Sequence, residues 1–449
     1  MSEIYDKFQQ LQNNEELSPE DKLNKYIEIL NQAELRDASV LSKLGKIFRE
    51  YDKANLYIDK IEKYDYETVK KYEHINNAYL YCLYKEKISK YDYEEATFDD
   101  FIKTAEKIVN NCEQRVAQQY KFNPYVLTVY KVIKTIKNRA SINFYTITKW
   151  INRLDPNKLP TEPITITADG KEREMAPFKE FWYQTKSKCL EKTGQYQECI
   201  DLCDEALRIF DKFHYNYNLW FMARKLYCEC KISNSEEALR QYQEIADKNH
   251  FWYMYHKLGN LYFSNAKIDS SLICLSKALL WDEIDPDKKI NLFYDLGLVF
   301  EAKSKINEAK QFFQCCLYYR TLYRWNIDEK LKYVKYSLDL DENKKPNLTE
   351  LYNICFNELQ SLIDLQYGKV KAINISRKFG ILIYKNNTIT FSLYNHNLKL
   401  KQGNFVGFKI GKYNDKEVAV EVYLDKRRNY GKRNINWYKQ FEFISWVIF

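Results

Sequence analysis

Glycine is scarce in this chain, with 11 residues in 449. That is too few to build phosphate-cradling loops in quantity, and the sequence contains no GxxxxGK[ST], no GxGxxG and no GxSxG. Histidine is scarcer still. The five residues, His74, His214, His250, His256 and His396, form no HExxH and no HxE…CxxC arrangement. His250 and His256 read as packing or surface residues of one helix. Long apolar runs are missing as well. No stretch approaches the roughly 18 uncharged apolar residues that a membrane helix requires. No apolar run follows a basic start, so no signal peptide is expected and the cytoplasm is the default compartment. Metal-knuckle cysteine spacing is also missing. Of the eleven cysteines, Cys228-Glu229-Cys230 and Cys315-Cys316 are too tightly spaced for CxxC zinc knuckles and the others are scattered. They read as small apolar helix residues kept reduced. Carboxylates are plentiful but spaced as helix-surface charges. The expectation is a protein without catalytic chemistry, metal or cofactor.

What the chain does have is aromatic side chains, including 39 Tyr, and an uneven charge. The net charge is +8. Residues 367–449 alone hold sixteen Lys and Arg against five Asp and Glu, a balance of +11, which leaves −3 for residues 1–366. A basic excess confined to one module points to a polyanionic partner more strongly than a spread charge does.

Before residue 366 the hydrophobic period is helical, and it repeats. In residues 181–210 a helix from Trp182 to Lys192 breaks at Gly194, and a second carries Cys199, Cys203 and Ala206 on one face. Trp220, Ala223 and Tyr227 are followed by Ala238, Tyr242 and Ile245. Leu258-Gly259 and Tyr262 are followed by Ser271, Leu275 and Ala278. Leu296-Gly297 and Phe300 are followed by Ala309, Phe313 and Cys316. The equivalent positions Lys186, Arg224, Gly259 and Gly297 lie 38, 35 and 38 residues apart. Small residues let paired helices approach, and large ones fill the gap to the next pair. The pattern resembles the tetratricopeptide repeat (TPR), at a slightly longer period. The resemblance implies a helical solenoid whose concave groove holds a protein or peptide. Asn260 sits where some such repeats grip a peptide backbone.

The first 155 residues are helical but less regular, with Leu44-Gly45 and Phe48, and Ala78 with Tyr81, as further TPR-like helix positions. In the loop of residues 156–177, Ile164 to Thr167 alternate and Asp169-Gly170 is a type I′ turn signal, so a β-hairpin is expected. The regular array spans 178–340. A charged, proline-marked stretch, Asp339 to Asn347, opens a linker and connecting helix over 341–366. The array and the C-terminal module are expected to fold separately, with an exposed linker between them.

At Gly368 the period changes to two. Strands are expected over Val370–Ile375, Gly380–Tyr384, Thr388–Leu393, Phe405–Ile410 and Val418–Tyr423, with a turn at Asn386-Asn387. Five short strands in about sixty residues suggest a small barrel. "GKVKAINISRKFGILI" resembles the start of a cold-shock domain, a five-stranded OB-type barrel. Gly368, Val370, Lys371 and Asn374 match its first strand, and Arg377-Lys378-Phe379-Gly380-Ile381 its second-strand motif. "NTITFSL" falls on the third strand, and "LKQGNFVGFKIG" on the approach to the fourth. The resemblance covers residues 367–424. It implies binding of RNA or single-stranded DNA by base stacking over a basic surface. Several stacking positions are altered: Ala372-Ile373, Ile381, Ile389 and Ser392 replace aromatic residues, and Phe391 stands where the family has histidine.

Phe379 and Phe391 are the expected stacking platforms, with Lys371, Arg377 and Lys378 supplying charge and Tyr384 and Tyr394 at the rim. The tail 425–449 adds six cations over Asp425–Gln440, interleaved with Tyr430, Trp437 and Tyr438. From it Arg427, Arg428, Arg433 and Trp437 join the candidate site. The terminal "FEFISWVIF" is expected to form a closing strand. The fold class is therefore mostly α, a TPR-like α-solenoid followed by a five-stranded cold-shock/OB-type barrel. The functional expectation is a cytoplasmic, bacterial adaptor for RNA or single-stranded DNA and a protein partner. The competing class is a protein-interacting scaffold, or a regulatory subunit of a nucleic-acid-handling or defence complex, whose barrel no longer binds nucleic acid.

Overall fold

A computed structural model describes residues 3–116, 124–138, 142–168, 171–280, 286–393, 400–413 and 415–429. Among them are twenty α-helices and seven strands. They divide into two compact units. One takes residues up to Thr193 together with Lys212–Tyr215, and the other takes Gly194–Asp211 and the chain from Asn216 onward. No helix of the described residues is long and apolar enough to cross a membrane.

Among its described residues the first unit is helical apart from one hairpin. Its helices Ala38–Glu50 and Glu73–Leu83 cross at Gly45. A Cβ there would lie 2.8 Å from the Cβ of Ala78 and 3.1 Å from the Tyr57 ring. The small residues thus mark a close approach of two backbones. The thiol of Cys82 donates to the Gly45 carbonyl across it at 3.4 Å. The expected hairpin is present as β1 (Ile164–Ala168) and β2 (Lys171–Met175), antiparallel, with Ala168 paired to Lys171. The turn residues Asp169 and Gly170 lie outside the described residues.

Helical hairpins follow one another in the second unit. Helix Trp252–Ser264 pairs with Ile268–Leu280, and Ile290–Ala302 with Ile306–Leu322. The glycines predicted to permit close packing do so. A Cβ at Gly259 would lie 2.4 Å from Leu275, and one at Gly297 2.5 Å from Phe313. Tight turns close the hairpins, with Ala266 and Ser304 in the left-handed region at φ 56° and 59°. Ser235 and Asp328 cap the helices Glu236–Asn249 and Glu329–Ser337, before and after these hairpins, by accepting from the Ala238 and Leu331 amides. All eleven cysteines are free thiols, and all but Cys112 are buried.

The stretch after the array is exposed at Asn343, Lys344 and Lys345. It is nonetheless tethered: the Gln314 side chain donates to the Asp341 and Lys344 carbonyls and accepts from the Asp341 amide. Helix Leu348–Leu362 then leads into a closed five-stranded barrel. Its strands are β3 (Gln366–Asn374), β4 (Phe379–Tyr384), β5 (Asn387–Ser392), β6 (Phe405–Tyr413) and β7 (Lys416–Leu424), in the order β3-β4-β5-β7-β6. All neighbours are antiparallel except β5 and β7, which pair in parallel at Thr390–Val418 and Phe391–Ala419. Val370, Leu382, Ile389, Phe391, Val406, Phe408, Val422 and Leu424 fill the interior.

Three details differ from the sequence-based expectation. β3 starts at Gln366, because residues 366–369 pair with β6. It ends at Asn374, whose side chain accepts from the Arg377 amide to form a turn that leaves Ile375 82% exposed. The β4–β5 turn is Lys385-Asn386, both at positive φ as type I′ requires, so Asn387 already belongs to β5. The barrel also shares a core with the helices. Tyr423, Leu365 and Phe356 join the helical cluster, and a Cβ at Gly407 would lie 2.8 Å from the Phe356 ring. The expectation of two separately folding parts overlooked this contact, because Tyr423 reads in sequence as one more alternating strand residue.

Candidate nucleic-acid interface

The outer face of β3, β4 and β5 is set by strand pairing. Asn374, Phe379 and Ser392 form one row across the three strands, Ala372, Ile381 and Thr390 the next, and Lys369, Ile383 and Thr388 the third. Alternation sends Leu382, Ile389 and Phe391 inward. The result is a short carpet of mainly aliphatic and hydroxyl side chains, with Asn374 and Lys369 at two of its corners and the ring of Phe379 half-buried at its edge.

Cations surround this carpet. Lys371 is exposed at the register shift between Val370 and Ala372. Arg377 and Lys378 are exposed on the β3–β4 turn, where Lys378 has φ 51°. Lys385 lies on the opposite turn, with its ammonium 4.9 Å from the Tyr384 ring, and Lys369 sits 5.4 Å over Phe405. From Gln366 to Tyr413 the chain has nine Lys and Arg and no Asp or Glu. Four of the five strands therefore carry no carboxylate. The fifth, β7, carries Glu417 and Glu421, and Asp425 follows it. Glu421 and Asp425 are neutralised internally, by Lys277 and Lys409 and by Arg427 and Arg428 respectively. The field of the β3–β5 face is consequently unopposed by its own strands.

The residues singled out in the sequence separate on this frame. Lys371, Arg377, Lys378 and Phe379 gather on or beside the three-stranded face. Phe391 is corrected: it is 2% exposed, packed in the barrel interior against Gly380, and offers no face for a base. Tyr384 is half-buried, its hydroxyl donating to Gln366 at 2.6 Å and its ring edge-on to Phe408, so it closes one end of the barrel. Arg427 is committed to structure. Its guanidinium forms two bonds to the buried Asp425 at 2.9 and 3.0 Å, donates to Asn357 and lies 4.6 Å over Phe356. Arg428 covers Tyr367 at 5.0 Å while staying half-exposed. Arg433, Trp437, Tyr394 and the terminal strand lie outside the described residues.

Sequence reading missed Lys369 and Lys385 beside this face and Lys401 and Lys412 before and on β6, while Lys409 is committed to Glu421. The signal was present as a run of 48 residues without a carboxylate. Asn260 is also corrected as a free backbone grip. Its amide donates to Asp295 at 2.9 Å, the same carboxylate that His256 Nε2 meets at 2.6 Å. Among the described residues no group of three or more His, Cys, Asp and Glu is arranged to hold a metal ion. The chain matches no protein-family model, and no curated protein is similar to it.

Proposed function

We propose that this chain is a non-enzymatic adaptor. Its barrel binds RNA or single-stranded DNA on the β3–β5 face, and its helical body, read as TPR-like, holds a protein or peptide. One observation carries the nucleic-acid part: nine cations and no carboxylate over strands β3 to β6, with two of the acidic groups that follow paired internally. A phosphate backbone laid on this face gains charge attraction along its length, and Phe379 supplies one stacking platform. With Phe379 as the one ring on the face among the described residues, affinity is low in sequence specificity and rests on counterion release. The Gly259–Leu275 and Gly297–Phe313 contacts support the repeat reading, and a small closed barrel is what the cold-shock resemblance implies. The proposed compartment is the cytoplasm.

The test is fluorescence anisotropy of the full chain with labelled single-stranded RNA and DNA across a salt series. Log affinity should fall linearly with log salt. No binding of either polymer at low salt by a folded chain would overturn the reading. A second reading, a purely protein-interacting scaffold, is favoured by the placement of Phe391 in the core, and that negative result would install it.

A further inference from the structure

The joint between the barrel and the helical body contains charged groups that the proposed binding face does not use. Between the pairs Lys409–Val420 and Gly407–Tyr423, β7 carries two residues where β6 carries one. The extra residue is Glu421, with φ 48°. A β-bulge of this kind re-aims a side chain. Val422 and Leu424 point into the barrel, while Tyr423 points out into the helical core. A non-glycine residue in the left-handed region persists only where its surroundings over-determine it. Glycine would adopt this backbone freely. Here the β6–β7 pairing on both sides of the bulge holds the backbone, and the glutamate carboxylate adds polar contacts of its own.

The partners of that carboxylate come from both sides of the joint. Lys277, 7% exposed on helix Ile268–Leu280, places Nζ 3.1 Å from Glu421 Oε2. The Tyr423 hydroxyl donates to the same oxygen at 3.2 Å, and Lys409 reaches Oε1 at 3.5 Å. On the helical side Asp247 lies 3.7 Å from Lys277 and accepts from the Tyr255 hydroxyl at 3.0 Å, and His250 Nδ1 meets that hydroxyl at 3.1 Å. Two carboxylates face two ammonium groups, so the cluster is balanced. Burial pushes Glu421 up, but Lys277 and Lys409 outweigh it and hold the carboxyl below its usual value.

We infer that Glu421 is a positioning lock: its carboxylate, paired with Lys277, fixes the barrel on the helical body in one orientation and holds the β3–β5 face rigidly relative to the helices of the same unit. Apolar contacts such as Phe356 against Gly407 tolerate sliding. A buried ion pair with directed hydrogen bonds does not, because any slip leaves a charge unpaired. The inference is independent of what the β3–β5 face binds.

Hydrogen exchange on the full chain tests it, with peptides covering 268–280, 416–424 and, as a control for the barrel fold, 379–392. Glu421→Gln and Lys277→Met should each raise exchange at least tenfold in both 268–280 and 416–424 while 379–392 keeps its protection. The double variant should be no worse than the worse single. Glu421→Gly frees the backbone but cannot pair, so the lock requires it to behave like Glu421→Gln. Should Glu421→Gln unfold the barrel outright, Lys277→Met decides, since that residue lies outside the barrel. Unchanged exchange in Lys277→Met, effects that add independently in the double variant, or wild-type behaviour in Glu421→Gly would overturn the proposal.

Discussion

Gly380 and Phe391 are paired across β4 and β5, and a Cβ on Gly380 would fall 2.2 Å from the Phe391 ring. The ring occupies the space that a side chain would need. Gly380→Ala should therefore overpack the barrel and destabilise it by about 1–3 kcal/mol. Adding Phe391→Leu, which removes the ring edge, should recover part of the loss. Chemical denaturation of the three variants measures this coupling. Additive losses would mean the two positions do not compete for one space.

The two phenylalanines of the motif region should behave oppositely. Phe391→Ala empties a buried ring position and should cost about 3–5 kcal/mol of barrel stability. Phe379→Ala should leave stability nearly unchanged and weaken single-strand binding by roughly 1–3 kcal/mol, the contribution of one stacked base. Denaturation and anisotropy on the same two variants separate the roles. Equal loss of binding without unfolding in both would place Phe391 back on the surface.

The difference between these rings also shows what was legible in the sequence. Periodicity located the strands to within a few residues and the helix pairs Trp252–Leu280 and Ile290–Leu322 of the helical array, because alternation and small-residue spacing are local signals. Gly259 and Gly297 were readable for the same reason: the residues they oppose, Leu275 and Phe313, lie one helix away. Phe391 was misplaced because one residue of register decides which face a strand residue takes, and its register depends on pairing with β4. Glu421 was not readable at all. A bulge is fixed by the partner strand, and Lys277 lies 144 residues earlier in the sequence. Arg427 looked like a ligand-binding cation because its consumers, Asp425, Asn357 and Phe356, come together only when the chain folds.

Stability of the first unit should depend on pH through His214. Its Nδ1 and amide meet the fully buried Glu180 at 2.8 Å each, and Nε2 meets Glu174 of β2 at 2.9 Å. Burial pushes the imidazole down, but the two carboxylates outweigh it and raise it above 6.5. Burial raises Glu180 as well, with His214 opposing. A group whose folded value is raised stabilises fully below its unfolded value and loses that contribution as pH climbs through the folded value. The clamp should thus hold below pH 6.5 and weaken as the pH rises above it. Exchange protection of helix Phe178–Lys192 should fall over that rise in the wild type, and the fall should flatten in His214→Asn. A pH-independent wild type would remove the clamp from the stability of this unit.

Charge on the β3–β4 turn should appear in the salt dependence and not in the fold. Arg377 and Lys378 are exposed, and neither side chain contributes to the barrel core. If each neutralises one phosphate, changing both to Ala should lower the slope of log affinity against log salt by about 1–2 units and weaken binding alike for RNA and DNA. Arg427→Ala is the matching control. It removes a cation of the same sign, but one whose guanidinium is held by Asp425 and Phe356. That variant should lose stability, by leaving a buried carboxylate short of its partner, with little change in salt slope. The decisive comparison is the pair of slopes measured on folded protein. A slope that drops in Arg427→Ala and stays fixed in the turn variant would move the phosphate contacts off the β3–β5 face and onto the joint beside helix Leu348–Leu362.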